Sequence, residues 1–204
     1  DARVVVYRFY NGKALNIYSD EYTYSAEKAR WELNTRIVDK TEQFVLSDGK
    51  WSFDPSTVIT LKAEKGNVEA AAFYQAITDW VKEKYPEYVT SYGNNDYYYG
   101  GSAYNNNFDF RPSAWKAQNA AAYGKMSDDE LKKLMFERLP EAFIPGLKAI
   151  YGNADVVPGV EKVTYTINFS IYDGSATTPY TIQYLVTGPG QFEYVADSLT
   201  KKVE

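Results

Sequence analysis

The sequence predicts an α+β fold, with antiparallel β meanders at both ends of the chain packed against three to four central helices. Both ends consist of aromatic and β-branched segments closed by Asn-Gly or Asp-Gly, the strongest short-range hairpin signal. The middle, residues 67–152, changes to helical spacing and opens its segments on capping residues. Aromatics make up 17% of the chain, with 20 Tyr, and an apolar ring with a polar tip suits a half-buried sheet face. At 204 residues and 45% hydrophobic content the chain can bury a core, and the reading takes residues 1–204 as a single domain.

Val4 to Tyr10 reads as a strand ended by the Asn11-Gly12 turn. Leu15 to Tyr24 is the second strand, and a polar loop, Ser25 to Arg30, leads to a third at Trp31-Glu32-Leu33. Thr41 to Leu46 and Trp51 to Phe53 flank Asp48-Gly49 as a further hairpin, and Asp54-Pro55 stops it. Thr57 to Leu61 is β-branched enough for another strand. A helix starts at the N-cap residue Asn67, carries Phe73, Ile77, Trp80 and Val81 on one face, and ends at Tyr85-Pro86. A second runs from Pro112 or Ser113 to about Ala122, closed by Gly124. A third opens on the capping box Ser127-Asp128-Asp129-Glu130 and aligns Leu131, Leu134, Met135 and Leu139. Pro140 is expected to break that pattern or to open a new turn, with Phe143 to Tyr151 as a further short helix.

Strands return at Val163 to Tyr172. There Val163, Tyr165, Ile167, Phe169 and Ile171 alternate with polar residues, which predicts one buried face. Asp173-Gly174 turns the chain, Tyr180 to Val186 is the next strand, and Phe192 to Val195 follows Gly188-Pro189-Gly190.

The two ends resemble each other. Tyr7, Phe9, Tyr10, Asn11 and Gly12 match Phe169, Ile171, Tyr172, Asp173 and Gly174, and Tyr18, Tyr22 and Tyr24 match Tyr180, Tyr184 and Val186, all at a spacing of 162. After a loop one residue shorter, Trp31-Glu32-Leu33 matches Phe192-Glu193-Tyr194. The reading is a repeated meander at 1–35 and 163–196, with the helical middle at 67–152 expected to cover both apolar faces.

Composition narrows the chemistry. The net charge is −5 and no basic cluster occurs, so the electrostatic footprint of a nucleic-acid binder is missing. No apolar run approaches the ~20 residues a membrane-spanning helix needs. The chain holds no Cys and no His, which removes Ser-His-Asp and Cys-His nucleophiles, thiol redox chemistry and Cys/His zinc sites. No cofactor is implied. The opening, Asp1 to Tyr7, reads as a strand already under way with no signal-peptide features, so sequence upstream is expected.

The candidate site is the segment Ser91 to Arg111, rich in Tyr, Asn and Gly and longer than an ordinary interhelical connection. Its expected ligand-binding residues are Asp96, Tyr97, Tyr98, Tyr99, Tyr104, Asn106, Asp109 and Arg111. Aromatic faces edged by amides, carboxylates and a guanidinium suit a sugar, whose C–H face stacks while its hydroxyls hydrogen-bond. The other reading is an ordered loop whose Tyr rings pack on the helices. Asn105-x-Asn107-x-Asp109 has the opening spacing of an EF-hand, but position six is Phe110 and position twelve Lys116, which excludes one. An irregular Ca²⁺ site at Asp96 and Asp109 stays open. The same two acids are the only candidates for a carboxylate-based hydrolase, and no motif supports that assignment.

The Asn/Asp-Gly meanders, together with Glu42 to Ser56 and Asp96 to Tyr104, resemble segments of uncharacterised surface lipoproteins from gut Bacteroidales. The resemblance spans most of the chain and brings no catalytic motif. It implies export, by lipid anchor or secretion, and a C-terminal position in a longer precursor. The expected function is therefore an extracellular, non-enzymatic binding or structural module, contacting a glycan or a surface protein through residues 91–111. The alternative is a carboxylate-based glycan-active hydrolase.

Overall fold

Strands lie at both ends of the chain and helices in the middle, the predicted α+β arrangement. The structure is a computed structural model that describes residues 2–10, 12, 15–33, 43–47, 49–88 and 99–202. The chain divides into two compact units, 1–41 and 42–204.

The first unit is a meander of β1 (Ala2–Tyr10), β2 (Leu15–Ser25) and β3 (Arg30–Leu33), in the order β1-β2-β3. Both ladders are antiparallel, with Tyr7 opposite Tyr18 and Tyr24 opposite Trp31. The Tyr7 and Tyr18 rings stack, and Arg3 lies over the Trp31 ring. Glu32 accepts from Lys28 and Arg30, which hold its carboxyl below the usual carboxylate range. Pairs this exposed contribute little to stability. Val5, Phe9 and Leu33 are about half exposed.

The second unit holds β4 (Gln43–Ser47), β5 (Lys50–Asp54), β6 (Thr57–Thr60), α1 (Val68–Lys84), β7 (Gly101–Ser102), β8 (Asn107–Asp109), α2 (Pro112–Gln118), α3 (Ala120–Tyr123), α4 (Asp128–Tyr151), β9 (Thr164–Tyr172), β10 (Thr177–Gly188), β11 (Gln191–Tyr194) and β12 (Thr200–Lys201). β4 and β5 form the predicted ribbon. The main sheet runs β11-β10-β9-β8-β7, with β12 on β10 and β6 on β9. β6 and β8 both join β9 in parallel, at its two ends.

β9 alternates buried and half-buried residues along its length, as its sequence predicts. Its buried face, with Ile182 and Tyr184 of β10, packs under α1 and α4. Phe143 is the hub: its ring lies 4.8 Å from Phe169 and 5.3 Å from Phe108. Each large side chain so buried contributes about 1.5–3 kcal/mol.

α1 begins as predicted, with the Asn67 side chain accepting from the Ala70 amide. The Ser127–Glu130 capping box is complete, and its two Ser127 hydrogen bonds hold the Glu130 carboxyl below its usual range. Two helix predictions are corrected. The second helix is two pieces, α2 and α3, because the Asn119 side chain caps the Ala122 amide and restarts the chain there. α4 also runs unbroken through Pro140 and Pro145. A proline costs a helix about 3 kcal/mol, but here the apolar face continues past it through Ala142, Phe143 and Leu147, all fully buried. The Pro140 carbonyl still accepts a hydrogen bond, from the Tyr184 hydroxyl at 2.7 Å. Gly146 lets α4 approach α1, since a side chain there would strike the Phe73 ring. Among the described residues, no helix is long and apolar enough to cross a membrane.

The β9–β10 turn carries a pH prediction. Asp173 accepts from the amides of Ala176 and Ser175 and from the Ser175 hydroxyl, which lowers its pKa from 3.8 to about 2. A carboxyl depressed in the folded state stabilises it fully above the unfolded value, and that contribution fades as pH falls toward the folded one. Between about pH 4 and pH 2, the urea midpoint of Asp173→Ala should therefore fall less steeply than that of the wild type.

Candidate functional site

The sequence places the site in one loop; the structure divides that loop between core and surface. Residues Asp96, Tyr97 and Tyr98 lie outside the described residues. From Tyr99 onward the chain folds as a β7–β8 hairpin, with Ser102 opposite Asn107, and β8 is docked on β9. The Asp109 amide donates to Gly100 and the Phe110 amide to Tyr172, each at 2.7 Å. The signal for this strand was available, because Asn107-Phe108-Asp109-Phe110-Arg111 alternates polar and aromatic residues.

Two expected ligand residues are structural. Tyr99 is fully buried, its ring 5.5 Å from Phe108. Gly100 (φ +85°) and Gly101 make this possible, because a side chain on Gly100 would meet the Asp109 carbonyl and one on Gly101 the Tyr99 ring. Asn106 is also buried, with φ +54°, a left-handed conformation that Asn adopts more readily than most residues. Its amide nitrogen donates to the carbonyls of Glu64 at 2.8 Å and Asn67 at 3.3 Å. Asn106 thus ties the hairpin turn to the segment that starts α1.

Three expected residues reach the surface, in two places. At the turn, Tyr104 is 66% exposed, and the Lys65 ammonium sits 4.6 Å from its ring centroid and 3.4 Å from its hydroxyl. At the far end of β8, Arg111 is bidentate on Asp109: its Nε donates to Oδ1 at 2.9 Å and its Nη2 to Oδ2. The Arg111 amide also donates to Asp109 Oδ1 at 3.0 Å, and the guanidinium lies over the Tyr172 ring. This platform can stack on a planar or C–H face and donate hydrogen bonds.

Asp109 makes a poor acid catalyst or calcium ligand in this state, because both its oxygens are engaged by Arg111. Among the described residues no three acidic side chains converge on a metal-sized space. A feature the sequence reading missed is an apolar groove of about 500 Å³ between β6, the start of α1 and the end of α4, lined by Val58, Leu61, Val68, Phe73, Ile150 and Tyr151. Val58 and Val68 are exposed apolar residues there, a pattern with no sequence signature of its own. The groove suits an apolar segment rather than a sugar.

Comparison with protein-family models, with curated proteins and with solved structures finds no match.

Proposed function

We propose that the chain is an extracellular binding or structural module that contacts a glycan or a surface protein through residues 91–111, without catalysis. One observation carries this reading. Tyr104 projects 66% exposed from a hairpin held in the core by Tyr99 and Phe108 and tied at its turn, through Asn106, to the segment that starts α1. A hairpin held that way loses little backbone freedom on binding, so stacking on the ring contributes to affinity. The Asp109–Arg111 pair at the far end of β8, lying over Tyr172 of β9, adds a second, polar contact. The resemblance of Glu42 to Ser56 and Asp96 to Tyr104 to surface lipoproteins supports an exported, lipid-anchored or secreted location.

The test is binding to an array of bacterial and host polysaccharides and to surface proteins, with wild type and Tyr104→Ala compared. The variant should bind at least about tenfold more weakly, a loss of about 1.4 kcal/mol, with an unchanged melting temperature. Unchanged affinity removes the hairpin from the interface. Release of new reducing ends from a bound polysaccharide favours the hydrolase instead.

A further inference from the structure

Residues 2–33 and 164–194 coincide in backbone pairing as well as in sequence. Every pair of the β1–β2 ladder, from Ala2 with Thr23 to Tyr10 with Leu15, maps at a spacing of 162 onto the β9–β10 ladder, from Thr164 with Leu185 to Tyr172 with Thr177. The third strands follow, with Tyr24 and Trp31 on Val186 and Phe192, and Tyr22 and Leu33 on Tyr184 and Tyr194. The turn bond recurs: Tyr10 donates to the Gly12 carbonyl at 3.1 Å, and Tyr172 to that of Gly174 at 2.8 Å. The ring stack recurs as well, Tyr7 on Tyr18 and Phe169 on Tyr180, each at 5.9 Å.

The two copies differ in cover. Ile167, Phe169, Ile171 and Val186 are at most 4% exposed, with α4 across them and β6 and β8 on the outer edge of β9. Their counterparts Val5, Tyr7, Phe9 and Tyr24 are 39–53% exposed. Among the described residues β1 pairs only with β2. A three-stranded sheet with an open apolar face needs a second layer to be stable.

We propose that residues 2–33 are the closing meander of a further module built like 42–204. The occupant of their face is then a strand-and-helix segment of about 120 residues, the length of 43–162, carried N-terminal to the meander in the natural chain. The internal counterpart fixes this choice. In 42–204 the covering elements β6, α1, β8 and α4 all precede the meander in the chain. A second copy of this chain cannot lend its α1 and α4, because they already lie on its own sheet. The occupant must also answer two charges, since Arg3 and Asp20 stand where the other copy has Tyr165 and Ile182. It should bring an acidic group to Arg3 and a hydrogen-bond donor to Asp20, which already accepts from the Tyr7 hydroxyl at 3.0 Å. The result is a tandem array with a period of 162 residues, a conclusion that does not depend on what residues 91–111 bind.

Hydrogen exchange of residues 1–204 compared with the natural full-length chain tests this. In the full-length chain the β1 and β2 amides should exchange at least ~100-fold more slowly than in residues 1–204, approaching those of β9. In the full-length chain, Val5→Asn should abolish that protection. Val6→Asn, which places an amide where the other copy has Asn168, should keep it. Equal exchange in both proteins overturns the proposal, as does a natural chain with no such segment ahead of residue 1. Protection that arises in residues 1–204 alone and grows with concentration makes the occupant a second copy, and overturns it too.

Discussion

Phe143→Ala should lower the unfolding free energy of residues 42–204 by about 3–5 kcal/mol, the range for emptying a fully buried aromatic site. Its ring joins elements far apart in sequence: Phe73 of α1 at 6.2 Å, Phe108 of β8 at 5.3 Å, Phe169 of β9 at 4.8 Å and Tyr184 of β10 at 6.3 Å. The cavity has little chance to collapse, because its walls are two helices and three strands held by their own ladders. The check is a urea titration followed by circular dichroism, with the midpoint falling and the slope unchanged. A loss under about 1 kcal/mol would mean that α4 does not pack on this sheet as described.

Tyr99→Ala should cost a similar amount, about 3–5 kcal/mol, although Tyr99 belongs to the segment expected to face a ligand. The ring is fully buried against Phe108 and lies over Gly101. Its removal should free the β7–β8 hairpin as well as open a void. Tyr104→Ala, five residues on, should change stability by no more than about 0.5 kcal/mol, because the ring is mostly in solvent. Melting temperatures of the two variants separate the anchor from the contact surface. Equal effects would erase that division.

Much of the fold was legible because its signals are local. The alternation from Val163 to Ile171, the caps Asn67 and Ser127, and the Asp173-Gly174 turn each act within a few residues, and the structure follows them. Where non-local packing decides, the sequence was silent. Pro140 carries a local stop signal that the buried face of α4 overrides. The parallel docking of β6 and β8 on β9 brings together residues about 60 to 110 positions apart, and nothing in either short strand names its partner. The candidate site was half legible for a related reason. Tyr and Asn serve equally at a wet surface and in a hydrogen-bonded interior, so composition marked the segment but could not sort Tyr99 and Asn106 from Tyr104. The sorting came from Phe108 and Phe110, whose alternation sends one face of β8 inward. The exposure of Val5 and Phe9 had no local signal at all, because their segment matches the buried one from Thr164 to Tyr172.

The contact surface proposed for residues 42–204 is Tyr104 at the turn of the anchored hairpin together with the Asp109–Arg111 pair over Tyr172 of β9. Backbone amide chemical-shift mapping, with the polysaccharide or surface protein retained by wild type, tests it most directly. Shifts concentrated at Lys65, residues 102–111 and Tyr172 are the predicted result. Shifts confined to the groove at Val58, Val68 and Ile150, or to β1–β3, would contradict it.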